Sequence, residues 1–274
     1  MTDPNQSPEP ADLFEDSELT TELRHLLGPD LASVLQAATS GSRRKLHTAE
    51  RAWAASVVAA LDIDISVVGM DRVDPDGQYV VAPLHEGFAD VLALLELPLD
   101  LNWVIRDELL ELPYFGDYLR MAGHIAVEPE SPRAALRTMY EQVGVTIADG
   151  ESLVVFPQGS LLGVDIAFRA GVFRLAERTG LPVLPVVLTG SHLVWEYPFQ
   201  RTLRHGQSIR MEILEPIDPT LAMADMRELE RDMKQRALAV TTAPARRYVP
   251  ERDGTWDGYS FALDPDFAPT AVDA

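Results

Sequence analysis

The segment Pro83-Leu84-His85-Glu86-Gly87-Phe88-Ala89-Asp90 sets an imidazole and two carboxylates between the apolar run YVVAPL and a second run, VLALLEL. A neutral imidazole can take the proton of an alcohol, and a carboxylate on its other nitrogen fixes the tautomer and supports the cation that forms. Spacing decides whether the two meet. Inside one regular helix, five steps of about 100° would leave His85 and Asp90 about 140° apart. The pair therefore meets only if His85 lies on the turn before a helix and Asp90 in its first turn or two. In that geometry His85 is a general base and Asp90 its orienter. The segment has no adjacent Ser or Cys to serve as nucleophile, so the attacking hydroxyl is the substrate's own. The same residues also fit a plain helix start, with His85 as cap, Glu86 complementing the helix dipole and Asp90 in solvent. On this segment alone both readings stand.

A second constellation lies in SLVVFPQGSLLGVDIAFRAGVFRLAERTG. A buried strand runs into Phe156-Pro157-Gln158-Gly159-Ser160, a tight turn whose glycine permits close backbone approach to a ligand. Arg169 then stands just before Gly171 and an amphipathic helix, where guanidinium and helix N-terminal amides can hold a phosphate. Taken singly, Arg169 reads better as a surface salt bridge.

Such residues need a scaffold that brings strand ends together. From Ile63 onward, short β-branched runs (DISVVG, QYVVAPL, NWVIR, HIAVE, SLVVFP, VLPVVL, IRMEIL) alternate with helical patterns. This predicts an α/β fold with a mostly parallel central sheet flanked by helices, which binds ligands at the carboxyl ends of its strands. The helices are expected from Glu86 to about Leu97, Tyr114 to Ala122, Pro132 to Ile147, Phe168 to Thr179 and Leu221 to Val240. Residues 1–16 read as a disordered acidic tail, 17–62 as N-terminal helices, 63–242 as the chemical domain, and 243–274 as an extension packed back through Tyr248, Trp256, Tyr259 and Phe261. The basic turn Arg43-Arg44-Lys45 and the helix through Leu61 are the expected place for peripheral membrane contact.

Composition narrows the chemistry. The 274 residues contain no cysteine, which removes disulfides, zinc-thiolate sites and cysteine nucleophiles and fits a reducing cytoplasm. A net charge of −20 argues against a broad nucleic-acid surface, so an anionic ligand needs a local basic pocket. No secretory signal is expected in MTDPNQSPEPADLFED, and no window approaches the ~18 apolar residues of a membrane span. No metal-ligand spacing is present; His85, Glu86 and Asp90 make a poor metal site. His25, His47, His124, His192 and His205 read as structural.

HEGFAD, ELLELPYFGDYLRMAGHIAV, FPQGS, AFRAGVFRLA and LPVLPVV occur in the order and at the separations of the glycerolipid acyltransferases, and the chain resembles their 1-acylglycerol-3-phosphate acyltransferase type over roughly residues 64 to 215. The resemblance implies that type's fold and an O-acyltransferase. His85 would be base for the acceptor hydroxyl, supported by Asp90. The acyl donor would be acyl-CoA or acyl carrier protein, and the acceptor a glycerol-phosphate-like lipid or lysophospholipid. It implies no cofactor, and work at the cytoplasmic face of the membrane. Phe156, Pro157, Gly159 and Arg169 would contribute to binding the acceptor's phosphate, with Gln158, Ser160 and Gly171 beside them. The chain departs from the pattern at Leu84, where the family has Asn, and at Gln158, where it has Glu. It also lacks the arginine that often follows the F-P-E-G-T block, and Glu128 replaces an expected basic residue. Arg106 and Arg133 are the candidates to replace the missing charge. Two alternatives accompany these departures: a lipid-binding relative without catalysis, and a thioesterase in which water replaces the acceptor.

Overall fold

All seven β-branched runs form strands. The computed structural model describes residues 32–111, 115–128, 131–161, 163–195, 203–240, 264 and 266–267. The strands are β1 (Asp64–Val68), β2 (Val80–Pro83), β3 (Leu101–Arg106), β4 (Ile125–Val127), β5 (Ser152–Val154), β6 (Val183–Thr189) and β7 (Ser208–Ile213). They make one sheet in the order β1-β7-β6-β2-β5-β3-β4. Pairing is parallel except between β6 and β7, so β1 and β7 run against the other five. The carboxyl ends of β2, β3, β4, β5 and β6 therefore share one edge. Central β2 has β6 on one side and β5 on the other, which puts three strand ends next to His85.

The helices are α1 (residues 32–39), α2 (Arg43–Ala60), α3 (Asp90–Leu94), α4 (Phe115–Ala122), α5 (Pro132–Ala148), α6 (Gly171–Thr179) and α7 (Ala222–Val240). Sheet alternation sends Val81, Val154, Leu184 and Val186 into a core with Ala54 and Val57 of α2 and Leu92 of α3. Val80, Ala82, Leu153, Val183 and Val187 enter a second core with Val143 of α5, Phe173 of α6 and Met233 of α7. Burial on both faces explains why these strands read as unbroken apolar runs.

Two helices start later than expected. Glu86 to Ala89 form the turn before α3, because the Glu86 and Gly87 N–H groups donate to the Asp90 side chain. α6 begins at Gly171 rather than Phe168, because the Phe168 N–H goes to Glu230 of α7 and the Arg169 N–H to the Pro157 carbonyl. The expected acidic tail, the helical pattern before residue 32 and the aromatics at 248, 256, 259 and 261 lie outside the described residues. Asp264 is described, and it bonds to Lys234.

At the edge opposite His85, α2 is tied to the sheet by a buried polar cluster. Arg43 and His47 both reach Glu151; His47 also meets Glu50, which accepts from the Tyr118 hydroxyl, and Tyr118 in turn meets His124. Burial by itself would lower the His47 imidazole, but hydrogen bonds to Glu151 and Glu50 outweigh it and raise the pKa from 6.5 to about 9. Burial lowers His124 to about 4. The signs are opposite. The His47 contribution is complete below pH 6.5 and is lost as pH rises toward 9; the unfolded chain gains a proton at His124 that the folded chain refuses between pH 6.5 and 4. Stability is therefore expected to peak near pH 6.5 and to fall by roughly 3 kcal/mol on each side. Urea midpoints across that range test this, and an alkaline limb that persists in His47→Gln would contradict the assignment.

Candidate active site

His85 lies two residues beyond the end of β2, and its backbone is held at both polar atoms. Its N–H donates to Gln158 Oε1 at 2.9 Å, and its carbonyl accepts the Gly163 N–H at 3.0 Å. Leu84, one residue back, is fully buried in the second core and anchors the turn from beneath. The imidazole stacks on Phe156 with ring centroids 3.8 Å apart. His85 Nδ1 lies 2.6 Å from Asp90 Oδ2, and the same oxygen accepts the N–H groups of Glu86 at 2.8 Å and Gly87 at 3.2 Å. Asp90 is fully buried, while the His85 side chain keeps 16% exposure. With the Glu86 and Gly87 N–H groups converging on the same oxygen as an acceptor, Nδ1 is the ring nitrogen that donates, which leaves Nε2 facing away from Asp90. The helix-cap reading, with Asp90 in solvent, is excluded by its burial.

The turn after β5 lies against this imidazole. Gly159 takes φ +64°, a left-handed conformation that favours glycine, and the Arg169 guanidinium packs over it: a Cβ there would lie 3.5 Å from Arg169 Nε. The structure thus brings together His85, Asp90, Phe156, Pro157, Gly159 and Arg169, with Gly171 two residues on at the start of α6.

Residues 64–189 match the family described as Acyltransferase. That stretch is similar to acyltransferases. Among curated relatives, the 1-acyl-sn-glycerol-3-phosphate acyltransferase of Limnanthes alba is 30% identical over 144 residues, 51% of this chain and 50% of that protein. The enzyme of the same name from Pseudomonas aeruginosa is 29% identical over 136 residues, 49% of this chain and 52% of that protein. The chain thus spans about half the length of these relatives. The crystal structure of the 1-acyl-sn-glycerophosphate (LPA) acyltransferase PlsC from Thermotoga maritima superposes with a TM-score of 0.64 at 20% identity, covering 82% of this chain and 94% of that one. The two proteins share a fold.

Other expected site residues sit differently. Gln158 is fully buried and both ends of its amide are used internally, on the His85 N–H and the Gly163 carbonyl, so it holds the His85 turn rather than facing a ligand. Ser160 is buried beside it. Arg106 ends β3 on the same edge, two strands from His85, and pairs with Glu108 at 2.6 Å. Arg133 opens α5 beyond β4 and lines a shallow depression with Ser131, Ala134 and Arg137, away from the residues of the His85 turn. No group of three or more His, Cys, Asp or Glu side chains suited to a metal occurs among the described residues. Three features escaped the sequence reading: the Phe156 stack, the positioning role of Gln158, and the contact of Glu86 with His192. His192 lies three residues beyond the end of β6, so the strand-end rule that singled out His85 points to it as well.

Proposed function

We propose that this domain moves a fatty acyl group from acyl-CoA or acyl carrier protein to the hydroxyl of a glycerol-phosphate-like or lysophospholipid acceptor. The observation that carries the reading is the 2.6 Å contact between His85 Nδ1 and buried Asp90 at the carboxyl edge of the sheet, with Arg169 and the Phe156–Gly159 turn beside it. The names of the relatives support the acceptor class. His85 Nε2 takes the acceptor's hydroxyl proton as its oxygen attacks the thioester carbonyl. The tetrahedral adduct collapses, the C–S bond breaks, and the imidazolium returns the proton to the leaving thiolate. Asp90 stabilises the imidazolium meanwhile, and Arg169 is the cation for the acceptor's phosphate. No cofactor enters the step.

Because the chain contains no cysteine, released thiol can be titrated without protein background. Purified protein with a long-chain acyl-CoA and a panel of lysophospholipid and glycerol-phosphate acceptors is expected to release thiol only when an acceptor is present, and His85→Ala to abolish it. Release without acceptor would identify a thioesterase, and no release with any acceptor would leave a lipid-binding protein. No described helix is long and apolar enough to cross a membrane. The apolar face of α2 is used on the core, so membrane contact in this proposal falls on exposed Arg44 and Lys45. Loss of flotation with anionic liposomes in the double Arg44→Glu, Lys45→Glu variant tests it.

A further inference from the structure

Glu86 and His192 are only 6% and 5% exposed and take no part in the acyl transfer derived above. Glu86 directly follows the base. Its backbone N–H is one of the three donors on Asp90, while its carboxylate reaches the loop after β6, where Oε2 accepts the Gly190 N–H at 2.8 Å and lies 3.0 Å from His192 Nδ1. The next residue is pressed against the same loop. A Cβ on Gly87 would lie 2.9 Å from the His192 nitrogen and 3.0 Å from its Cα, backbone atoms that cannot swing aside. Phe88 then stacks on Trp195, with ring centroids 5.0 Å apart. The receiving loop is itself fixed: Gly190 has φ +91°, and a Cβ there would strike the Ser208 carbonyl of β7 at 2.3 Å. Three consecutive residues after His85 are thus docked on a rigid ledge.

An apolar side chain could fill the same space without the penalty of burying a carboxylate. Burial does hold the Glu86 carboxyl above its ordinary range. What a carboxylate supplies and a methylene does not is a directional bond to one N–H and one imidazole. We propose that Glu86 and His192 are positioning residues, a buried clamp that fastens the His85–Asp90 turn to the loop after β6 and keeps the imidazole in register with Asp90. The clamp rests on the proposed role of His85 as base. It acts on the geometry of the reacting turn and not on substrate binding, so its loss reads out in kcat.

The test compares truncating with conservative changes at both positions. Glu86→Ala and His192→Leu are expected to lower kcat about 10- to 100-fold, the scale of a misplacement of roughly 1 Å, with KM for the acyl donor nearly unchanged. Glu86→Gln keeps one oxygen that can serve both the Gly190 N–H and His192 Nδ1, as Oε2 does, and His192→Asn keeps a donor near Nδ1; both should recover most of kcat. The double Glu86→Ala, His192→Leu variant should be little worse than either single change, because the two act as one unit. Hydrogen exchange across residues 84–92 supplies a readout that needs no turnover: faster in Glu86→Ala, near parental in Glu86→Gln, and unchanged across β1 in both. Parental kcat in Glu86→Ala while His85→Ala is dead would overturn the clamp and leave the base intact. Equal losses in His192→Asn and His192→Leu would overturn it as well, and that pair decides the matter if Glu86→Ala does not fold. Full activity in His85→Ala would instead overturn the role of the base, and hydrogen exchange would then judge the clamp alone.

Discussion

Asp90→Asn is expected to reduce acceptor-dependent thiol release on the order of 10³-fold while leaving the protein folded. Asp90 Oδ2 serves three donors, His85 Nδ1 and the N–H groups of Glu86 and Gly87. An asparagine has the same shape and can present one oxygen to them, so the turn can form. It cannot present a charge. The imidazolium that forms as the acceptor loses its proton then has no counter-ion in a site where the partner side chain is fully buried. If the amide nitrogen takes the oxygen's place, it opposes two backbone N–H groups and favours the tautomer with the proton on Nε2, which cannot act as base. Either orientation removes transition-state stabilisation without touching the acyl donor, so kcat should fall and KM should not. A rate within about tenfold of the parent would mean that His85 is not the base.

Lys234→Met is expected to destabilise the fold by about 3–5 kcal/mol. Lys234 is one of only two lysines in the chain, and its side chain is wholly buried. Its ammonium donates to the Ile166 carbonyl at 2.8 Å, to Glu230 Oε1 at 2.9 Å and to Asp264. Glu230 Oε1 in turn accepts the Phe168 N–H at 2.6 Å. Methionine fills the volume but takes the shared ammonium from both carboxylates and the Ile166 carbonyl, leaving Glu230 with Arg227 at 2.7 Å and the Phe168 N–H and Asp264 with the Asp266 N–H, and breaking one member of a buried ionic set is costly. The segment from Ile166 to Phe168 leads directly into Arg169, so the same change should loosen the residue proposed to hold the acceptor's phosphate and raise KM for a phosphorylated acceptor. Urea unfolding followed by tryptophan fluorescence measures the first effect. A loss below about 1 kcal/mol would show that the cluster is well hydrated, contrary to its burial. Adding Glu230→Gln to Lys234→Met should restore part of the stability, since it removes one carboxylate that has lost the ammonium.

How much of this was legible in the chain depends on how far apart the partners lie. Each strand was visible because residues such as Val80 to Pro83 and Val183 to Thr189 carry their own periodicity and β-branched composition, and a strand buried on both faces needs nothing but apolar side chains. The His85–Asp90 pair was visible because both members lie within one turn, so helical geometry alone restricted where each must sit. Helix starts were read less well: α3 and α6 lose their first turns to Asp90, Glu230 and Pro157, acceptors that compete for the same backbone N–H groups. Gln158 looked like a ligand-facing amide because its neighbours Phe156 and Gly159 face the site. Its actual partners, His85 and Gly163, are set by β5 pairing beside β2.

The α/β class, the seven strands and the turn that carries His85 and Asp90 were fixed locally, because each is written in composition and spacing over a few consecutive residues; acyl transfer was only what the family resemblance implied. Tertiary structure alone decided which loops flank the base. The strand order β6-β2-β5 sets His85 between segments more than 70 and 100 residues away, giving it the Phe156 face on one side and the Glu86–His192 contact on the other. Side chains that close over such distances obey no local period; they meet because a parallel sheet must cross over itself to bury both faces.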